Sequence, residues 1–304
     1  MENHFPGGVW PVMLTPFTQD NQVDYPALAQ LIQWYRQEGV SGLFSVCQSS
    51  EMFFLSLEER VSIARFVKQQ AGDLPVIASG HISEDLEEQA NELTQIGNTG
   101  VDAVILITNR LAKQDEGDSV WISRLEQLLK MLPSDMKLGF YECPYPYKRV
   151  MTPETIGWCA NTGRFYFLKD TSCDIENIKE KLEVCRGTNL KLYNANTATL
   201  LDSLKAGAAG YSGVMANMQC SLYSWLCENY EHPQAEKLSQ ELTICAMIER
   251  QVYPVNAKYY LNLEGIPMGI QSRTRDCREL NETARKEVRD LREITARMKS
   301  WYQK

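Results

Sequence analysis

The sequence predicts an α/β protein: a (β/α)8 barrel with a C-terminal helical extension. Three observations predict it. Short apolar runs alternate with amphipathic stretches eight times before the pattern changes near residue 220. Several of those runs are continuously apolar, as strands buried on both faces are, rather than alternating. No Gly-x-Gly-x-x-Gly turn follows an early strand, which disfavours the alternative of an open doubly wound sheet. A chain of 304 residues is long enough for one such barrel.

The elements follow in order. Residues 8–17 read as the first strand, and residues 25–39 as a helix capped by Asp24. Residues 42–47 are the second strand. Ser56 and Glu59 have capping-box spacing, and the helix they open runs to residue 70. Residues 75–80 are strand three, 84–96 a helix, 102–108 strand four and 119–132 a helix. Residues 137–141 are strand five. Thr152-Pro-Glu154 opens the next helix with an N-cap and a first-turn proline. Residues 164–169 are strand six, 175–186 a helix, 190–194 strand seven, 198–206 a helix and 210–214 strand eight. The chain therefore divides into a barrel over residues 1–220 and a helical region over residues 221–304, packed on it. The last stretch, residues 281–301, is charged and amphipathic.

The formal charge of −8 argues against nucleic acid or an anionic membrane surface as a partner. No apolar run approaches the length that spans a bilayer, and the first residues lack the basic and apolar regions of a signal peptide. Nine cysteines, an odd number without Cys-x-x-Cys spacing, fit a reducing, cytoplasmic location. His4, His81 and His232 are far apart, so no metal is expected.

The segment Phe165-Tyr-Phe-Leu-Lys-Asp-Thr-Ser172 places Lys169 at the end of an aromatic strand. A buried ammonium is costly, so such a lysine is paired, used, or snorkels to solvent. If used, an apolar setting lowers its pKa and keeps the amine nucleophilic, which suits a Schiff base. Strand alternation puts Phe165, Phe167 and Lys169 on one face, and Gly139 and Tyr141 on one face of strand five. Lys169 and Tyr141 both end adjacent strands, at the face where barrels of this class hold their active sites. If both point inward, an amine and a phenol share a pocket.

These residues give the chain a resemblance to the dihydrodipicolinate synthase/N-acetylneuraminate lyase superfamily of class I pyruvate aldolases. It covers nearly the whole length. Val12-Met-Leu-Thr-Pro-Phe17 resembles the family's opening strand. Val46-Cys-Gln-Ser-Ser-Glu51 stands where a Gly-Thr-Thr-Gly-Glu loop is usual. Tyr141-Glu-Cys-Pro144 resembles Tyr-Asn-x-Pro, and Leu168-Lys-Asp-Thr-Ser172 resembles the Schiff-base lysine motif.

The resemblance implies catalytic roles for Lys169, as the amine that condenses with a ketone, for Tyr141, as a proton relay, and for Ser49, as the relay's loop hydroxyl. It implies a substrate-binding set of Gln48, Thr171, Ser212 and Gly213. Asn194, at the rim after strand seven, either binds a polyhydroxylated substrate or caps the following helix. No cofactor is implied, and the assembly expected is a homotetramer or homodimer. Some positions differ from the family pattern. Cys47 and Ser50 replace both loop glycines, the Thr108-Asn-Arg-Leu-Ala112 segment has no tyrosine, and Lys148 and Arg149 lie later than the synthases' carboxylate-binding arginine.

The function expected is therefore a cofactor-free class I lyase or aldolase. It joins pyruvate to an aldehyde, or cleaves the product. The keto acid would be a 2-keto-3-deoxy sugar acid, a sialic acid-like compound or another 4-hydroxy-2-oxo acid. One alternative is 4-hydroxy-tetrahydrodipicolinate (dihydrodipicolinate) synthase activity. Another is a non-catalytic barrel that binds a keto acid as a sensor.

Overall fold

The computed structural model describes residues 5–302. The first four residues, on which the signal-peptide reading partly rests, lie outside the described residues, as do Gln303 and Lys304. Eight strands form one parallel sheet: β1 (Gly8–Val9), β2 (Leu43–Phe44), β3 (Val76–Ala78), β4 (Ala103–Ile107), β5 (Leu138–Tyr141), β6 (Phe165–Asp170), β7 (Lys191–Asn194) and β8 (Gly210–Tyr211). Their order is β1-β8-β7-β6-β5-β4-β3-β2. A parallel bridge from Val12 to Phe44 joins the first and last of these and closes the TIM barrel.

Helices α1 (Tyr25–Gln37), α2 (Leu57–Gln70), α3 (Leu86–Gly97), α4 (Asp118–Met131), α5 (Pro153–Asn161), α6 (Ile175–Cys185), α7 (Leu200–Lys205) and α8 (Cys220–Glu228) alternate with the strands. Their starts are set by side-chain caps. Asp24 accepts from Ala27 at 3.0 Å, Ser56 and Glu59 form a complete capping box, and Thr152 and Asp174 cap α5 and α6. Helix α7 starts at residue 200, not 198, because Asn196 first accepts from the Thr199 N–H in a turn of its own.

Several strands are shorter than expected. The first stops at Val9 rather than Phe17, the second covers only Leu43–Phe44, and the eighth ends at Tyr211. Single ladder bonds carry the barrel wall further, such as Phe44 N–H to Pro11 O at 3.1 Å and Ser212 N–H to Asn194 O at 2.8 Å. Pro11 and Pro16 lack an N–H, so a regular ladder cannot persist through this stretch.

The barrel floor is aromatic. Phe167 and Tyr193 stack with centroids 4.1 Å apart, and Trp10 meets both edge-on at 5.2 and 5.8 Å. Phe44 packs on Phe167 from the far wall at 6.2 Å. Phe165 does not share this face, contrary to simple alternation. The register shifts between Leu138 and Gly139, where Leu138 pairs with Phe165 and Gly139 with Phe167. The extra residue turns Phe165 into the helix layer, stacked on Phe140 at 4.3 Å beside Trp121 of α4. Gly139 is required at the shift, because a Cβ there would lie 2.6 Å from the Phe167 carbonyl oxygen.

The C-terminal segment adds α9 (Ala235–Cys245), α10 (Val255–Leu263) and α11 (Glu282–Tyr302). Helix α11 buries Ala284, Val288, Leu291, Thr295, Met298 and Tyr302 at helical spacing and leaves its charges in solvent. Leu238, Leu242, Val288 and Leu291 belong to the same apolar cluster as the barrel core. No helix among the described residues is long and apolar enough to cross a membrane.

Candidate active site

Strands β5 and β6 bring Tyr141 and Lys169 level, as register partners at the C-terminal rim. Both side chains face inward. The Lys169 nitrogen lies 4.2 Å from the centre of the Tyr141 ring and 6.0 Å from that of Phe44. Lys169 is 3 % exposed and has no ion pair among the described residues. Burial above the aromatic floor lowers its pKa to about 8, against smaller upward pulls from Cys47, Cys143 and Glu249. Burial also pushes the Tyr141 phenol well above its ordinary range, so it stays protonated at neutral pH.

The residues that follow these two explain why they point inward. Glu142 and Asp170 alternate to the outer face, where both bind Lys181 of α6 at 2.6 and 2.5 Å. All three side chains are fully buried. Glu142 also accepts from the N–H groups of Met151 and Thr171. A flip of either strand end would strand charges in the barrel, which is prohibitive. Lys181 lies seven residues, about two helical turns, beyond the Asp174 cap, and no sequence motif marks it.

The loop 47–51 rises beside this pair. Its lost glycines cost no backbone strain, because neither Cys47 nor Ser50 has positive φ; the left-handed residue is Glu51, at φ 65°. The Ser50 hydroxyl ties the turn to Cys47, and Glu51 is anchored by buried Lys258 at 2.7 Å and by the N–H groups of Arg273 and Thr274. Among the described residues the N–H groups of Gln48 and Ser49 have no acceptor. The Gln48 amide oxygen lies 3.5 Å from the Tyr141 hydroxyl and 3.4 Å from the Cys143 sulfur. Ser49 lies beside Tyr253 and favours its phenolate, against the larger upward push of burial. Among the described residues Ser49 makes no hydrogen bond to Tyr141, and Gln48 is the loop side chain that meets the phenol.

Tyr253 and Glu249 come from the segment between α9 and α10, which sequence reasoning treated as packing. Asn217, after β8, donates to the Tyr253 hydroxyl at 3.1 Å. Glu249 lies in a 3₁₀ turn, Ala246–Arg250, half-buried above the mouth and within electrostatic reach of Lys169, Tyr211 and Cys173. Burial raises its pKa. No motif marks either residue, and only the fold brings them some 80 residues back to the lysine.

The remaining expected residues fall into two groups. Thr171 is at the rim beside Lys169, its hydroxyl donating to Glu142 O at 2.6 Å. Ser212 donates to Trp10 O at 2.9 Å and closes the β8–β1 seam, while Gly213 is held to glycine because a Cβ would lie 2.4 Å from Ala195 O. Asn194 turns away from the mouth, fully buried. Its Nδ2 donates to Thr199 and Ser203, and its Oδ1 accepts from Asn196 N–H. It caps the approach to α7, which corrects the substrate-binding alternative. The basic residues near β5 are also engaged: Lys148 with Thr171 O at 2.6 Å, and Arg149 with Asp118 at 2.8 Å. Buried His81 accepts from Ile107 N–H, and its pKa is lowered to about 3.

Fold and site together define a class, the (β/α)8 barrels with an inward lysine and a phenol at the C-terminal mouth. The chain belongs to the Dihydrodipicolinate synthetase family, whose profile matches residues 5–294. It is 27% identical over 266 residues to a 4-hydroxy-tetrahydrodipicolinate synthase from Saccharophagus degradans, covering 85% of this chain and 89% of that one. It is 29% identical over 212 residues to a protein of the same name from Jannaschia, covering 69% and 70%. In fold it resembles a prophage protein of the dihydrodipicolinic acid synthase family from E. coli K12, solved with pyruvate. That likeness has TM-score 0.84 and 20% identity, and covers 95% of this chain and 98% of the other. CdNal from Clostridium difficile, solved with mannosamine, matches at TM-score 0.83 and 16% identity, covering 95% and 99%. Lyases and aldolases make up this family.

Proposed function

We propose that the protein is a class I lyase or aldolase that forms or cleaves a carbon–carbon bond between pyruvate and an aldehyde, through a Schiff base on Lys169. The observation that carries this reading is the buried, unpaired Lys169 amine, with its pKa lowered to about 8. A usable fraction of it is neutral near pH 7, and its lone pair attacks the keto carbon. The carbinolamine loses water to give an iminium, which accepts electrons as the C3 proton leaves. The enamine then attacks the aldehyde, and hydrolysis frees the product and the amine. Cleavage is the reverse.

Tyr141 would carry protons in these steps, a role supported by its protonated phenol and by Gln48 as its polar partner. A primary amide does not readily pass a proton on, so Gln48 orients the phenol rather than extending a relay. The unoccupied N–H groups of Gln48 and Ser49 suit the keto-acid carboxylate. No cofactor enters the scheme, and the working assembly proposed is a homodimer or homotetramer.

The aldehyde partner proposed is a neutral, hydroxylated one, giving a 2-keto-3-deoxy sugar acid, sialic acid-like or other 4-hydroxy-2-oxo acid product. Glu249 above the mouth favours hydroxyl donors and repels a second carboxylate, and Lys148 and Arg149 are tied down by their own partners. The second reading, 4-hydroxy-tetrahydrodipicolinate synthase activity, is favoured by the names of the relatives. A third, a keto-acid sensor without turnover, would need the amine to be unreactive. Pyruvate release from a panel of 4-hydroxy-2-oxo acids, run beside a coupled assay with pyruvate and aspartate semialdehyde, separates them. Turnover of the semialdehyde above every sugar-derived aldehyde would overturn the preferred substrate class. Saturable pyruvate binding with no turnover would favour the sensor.

A further inference from the structure

One residue of the C-terminal segment holds two turns of the barrel at once. Among the described residues three that are not glycine take left-handed backbone: Asn21, Glu51 and Cys173. For a glutamate that conformation persists only where the surroundings impose it. Asn21 and Glu51 lie in different barrel loops, and Arg273, from the stretch between α10 and α11, binds both. Its backbone N–H donates to Glu51 Oε2 at 2.6 Å. Its guanidinium donates from Nη2 to Asn21 O at 2.8 Å and from Nε to Asn21 Oδ1 at 3.3 Å. Nη1 reaches Phe54 O at 2.9 Å, and both terminal nitrogens grip the Glu59 carboxylate, at 2.7 and 2.9 Å. The five N–H groups of the guanidinium thus each have an acceptor, a fit that the ammonium of a lysine cannot reproduce. The Phe17 ring packs against the same group, its centre 4.5 Å away.

The surroundings of Glu51 belong to the same segment. Its carboxylate accepts from Lys258 Nζ at 2.7 Å, from Ser272 Oγ at 2.8 Å and from the N–H groups of Arg273 and Thr274. Glu51 in turn closes the turn before it: its N–H donates to Gln48 O at 2.9 Å, and the Met52 N–H donates to Cys47 O at 3.3 Å. Gln48 rides on that turn and meets the Tyr141 phenol at 3.5 Å. This contact is at the outer limit of a hydrogen bond, so a small shift of the turn breaks it. The grip on Glu59 persists through the neutral range, because the pair raises the Arg273 pKa and lowers that of Glu59.

We propose that Arg273 is a positioning residue for the reaction: by tying the turns at Asn21 and Glu51 to the C-terminal segment, it fixes Gln48 against Tyr141 and so sets the rate of proton transfer at C3 of the keto acid. The inference rests on the reading of Lys169 and Tyr141 as amine and proton carrier. It gives the helical region a part in the chemistry, exerted through Glu51 and Gln48 without contact to the substrate.

Two measurements with pyruvate test this. Exchange of its methyl protons for deuterium, followed by nuclear magnetic resonance, reads the step assigned to Tyr141; the extent of borohydride trapping reads the amine alone. Arg273→Lys keeps the charge and loses the fork, so exchange per folded chain should fall about tenfold, part of what a positioned proton carrier contributes. Trapping at long incubation should keep its native extent. Arg273→Lys should add no further loss in a Tyr141→Phe background. Ser272→Ala removes one donor from Glu51 and leaves the guanidinium in place, so it should slow exchange by a smaller factor, and it carries the test should Arg273→Lys not fold. A strap that only stabilises would lower the denaturation midpoint and leave exchange per folded chain unchanged, which would overturn the inference. A matching loss of trapping, or a further loss in the Tyr141→Phe background, would overturn it too. If the native protein forms no adduct on Lys169, the reading of the amine falls and the inference with it; native trapping with unchanged exchange in the folded variants removes the inference alone.

Discussion

Lys169 stands directly opposite Tyr141 in the β5–β6 ladder, with its nitrogen 4.2 Å from the centre of the tyrosine ring. The two are held there by the residues next to them, since Glu142 and Asp170 share Lys181 on the other side of the sheet. One alternation thus serves two purposes: a charged lock outside, a desolvated amine and phenol inside.

Tyr141→Phe removes the proposed proton carrier and leaves the ring beside the amine. Turnover should fall by about 10²- to 10⁴-fold, as for other positioned acid–base groups. Adduct formation at long incubation should survive, because the nucleophile is intact. Equal turnover in the two proteins would remove Tyr141 from the chemistry.

Activity should rise with pH along a limb centred near 8, as Lys169 loses its proton. Glu249 pulls that value upward, so Glu249→Gln should move the limb to lower pH. The same variant should improve use of aldehydes that carry a carboxylate. A limb near 10.5, or one indifferent to Glu249, contradicts the proposed placement of the amine.

Lys169→Met should stabilise the protein while abolishing its chemistry. The folded amine titrates near 8 and the unfolded one near 10.5, a difference equivalent to about 3 kcal/mol. Between these values the unfolded chain holds more protons, so native stability rises with pH there, and below 8 the full desolvation penalty is present. The gain in Lys169→Met should therefore be largest at neutral pH and fade above 10.5, as measured by denaturant titration at several pH values.

Lys181→Met should have the opposite effect. It leaves Glu142 and Asp170 buried without their cation, at a cost of about 3–5 kcal/mol, seen as a lower denaturation midpoint. Surface lysine variants such as Lys179→Met, whose partner Glu176 is exposed, should change little.

Much of the barrel is legible in the sequence because it rests on local signals. Ser56 with Glu59 and Thr152 with Pro153 mark helix starts by bonds that span three residues. The position of Lys169 at a strand end follows from the apolar run before it. The inward face follows only in part, since the register shift at Leu138 separates Phe165 from Phe167 and no residue pattern announces it. The strand ends near Pro11 and Tyr211 blur because single ladder bonds, not runs, complete the wall. The rest of the site is non-local. Tyr253 and Glu249 sit in a segment whose sequence signals only helix and turn, and the Tyr35–Asn217–Tyr253 chain joins three separate places along the polypeptide. Asn194 shows the converse: its rim position is legible, but its direction is decided by Thr199 and Ser203.

Reductive trapping tests the central claim most directly. The protein is incubated with pyruvate and borohydride, and its peptides are mapped by mass. One reduced pyruvyl group per chain is expected, on Lys169 and lost in Lys169→Ala. An unmodified Lys169, or a group carried by another lysine, would contradict it.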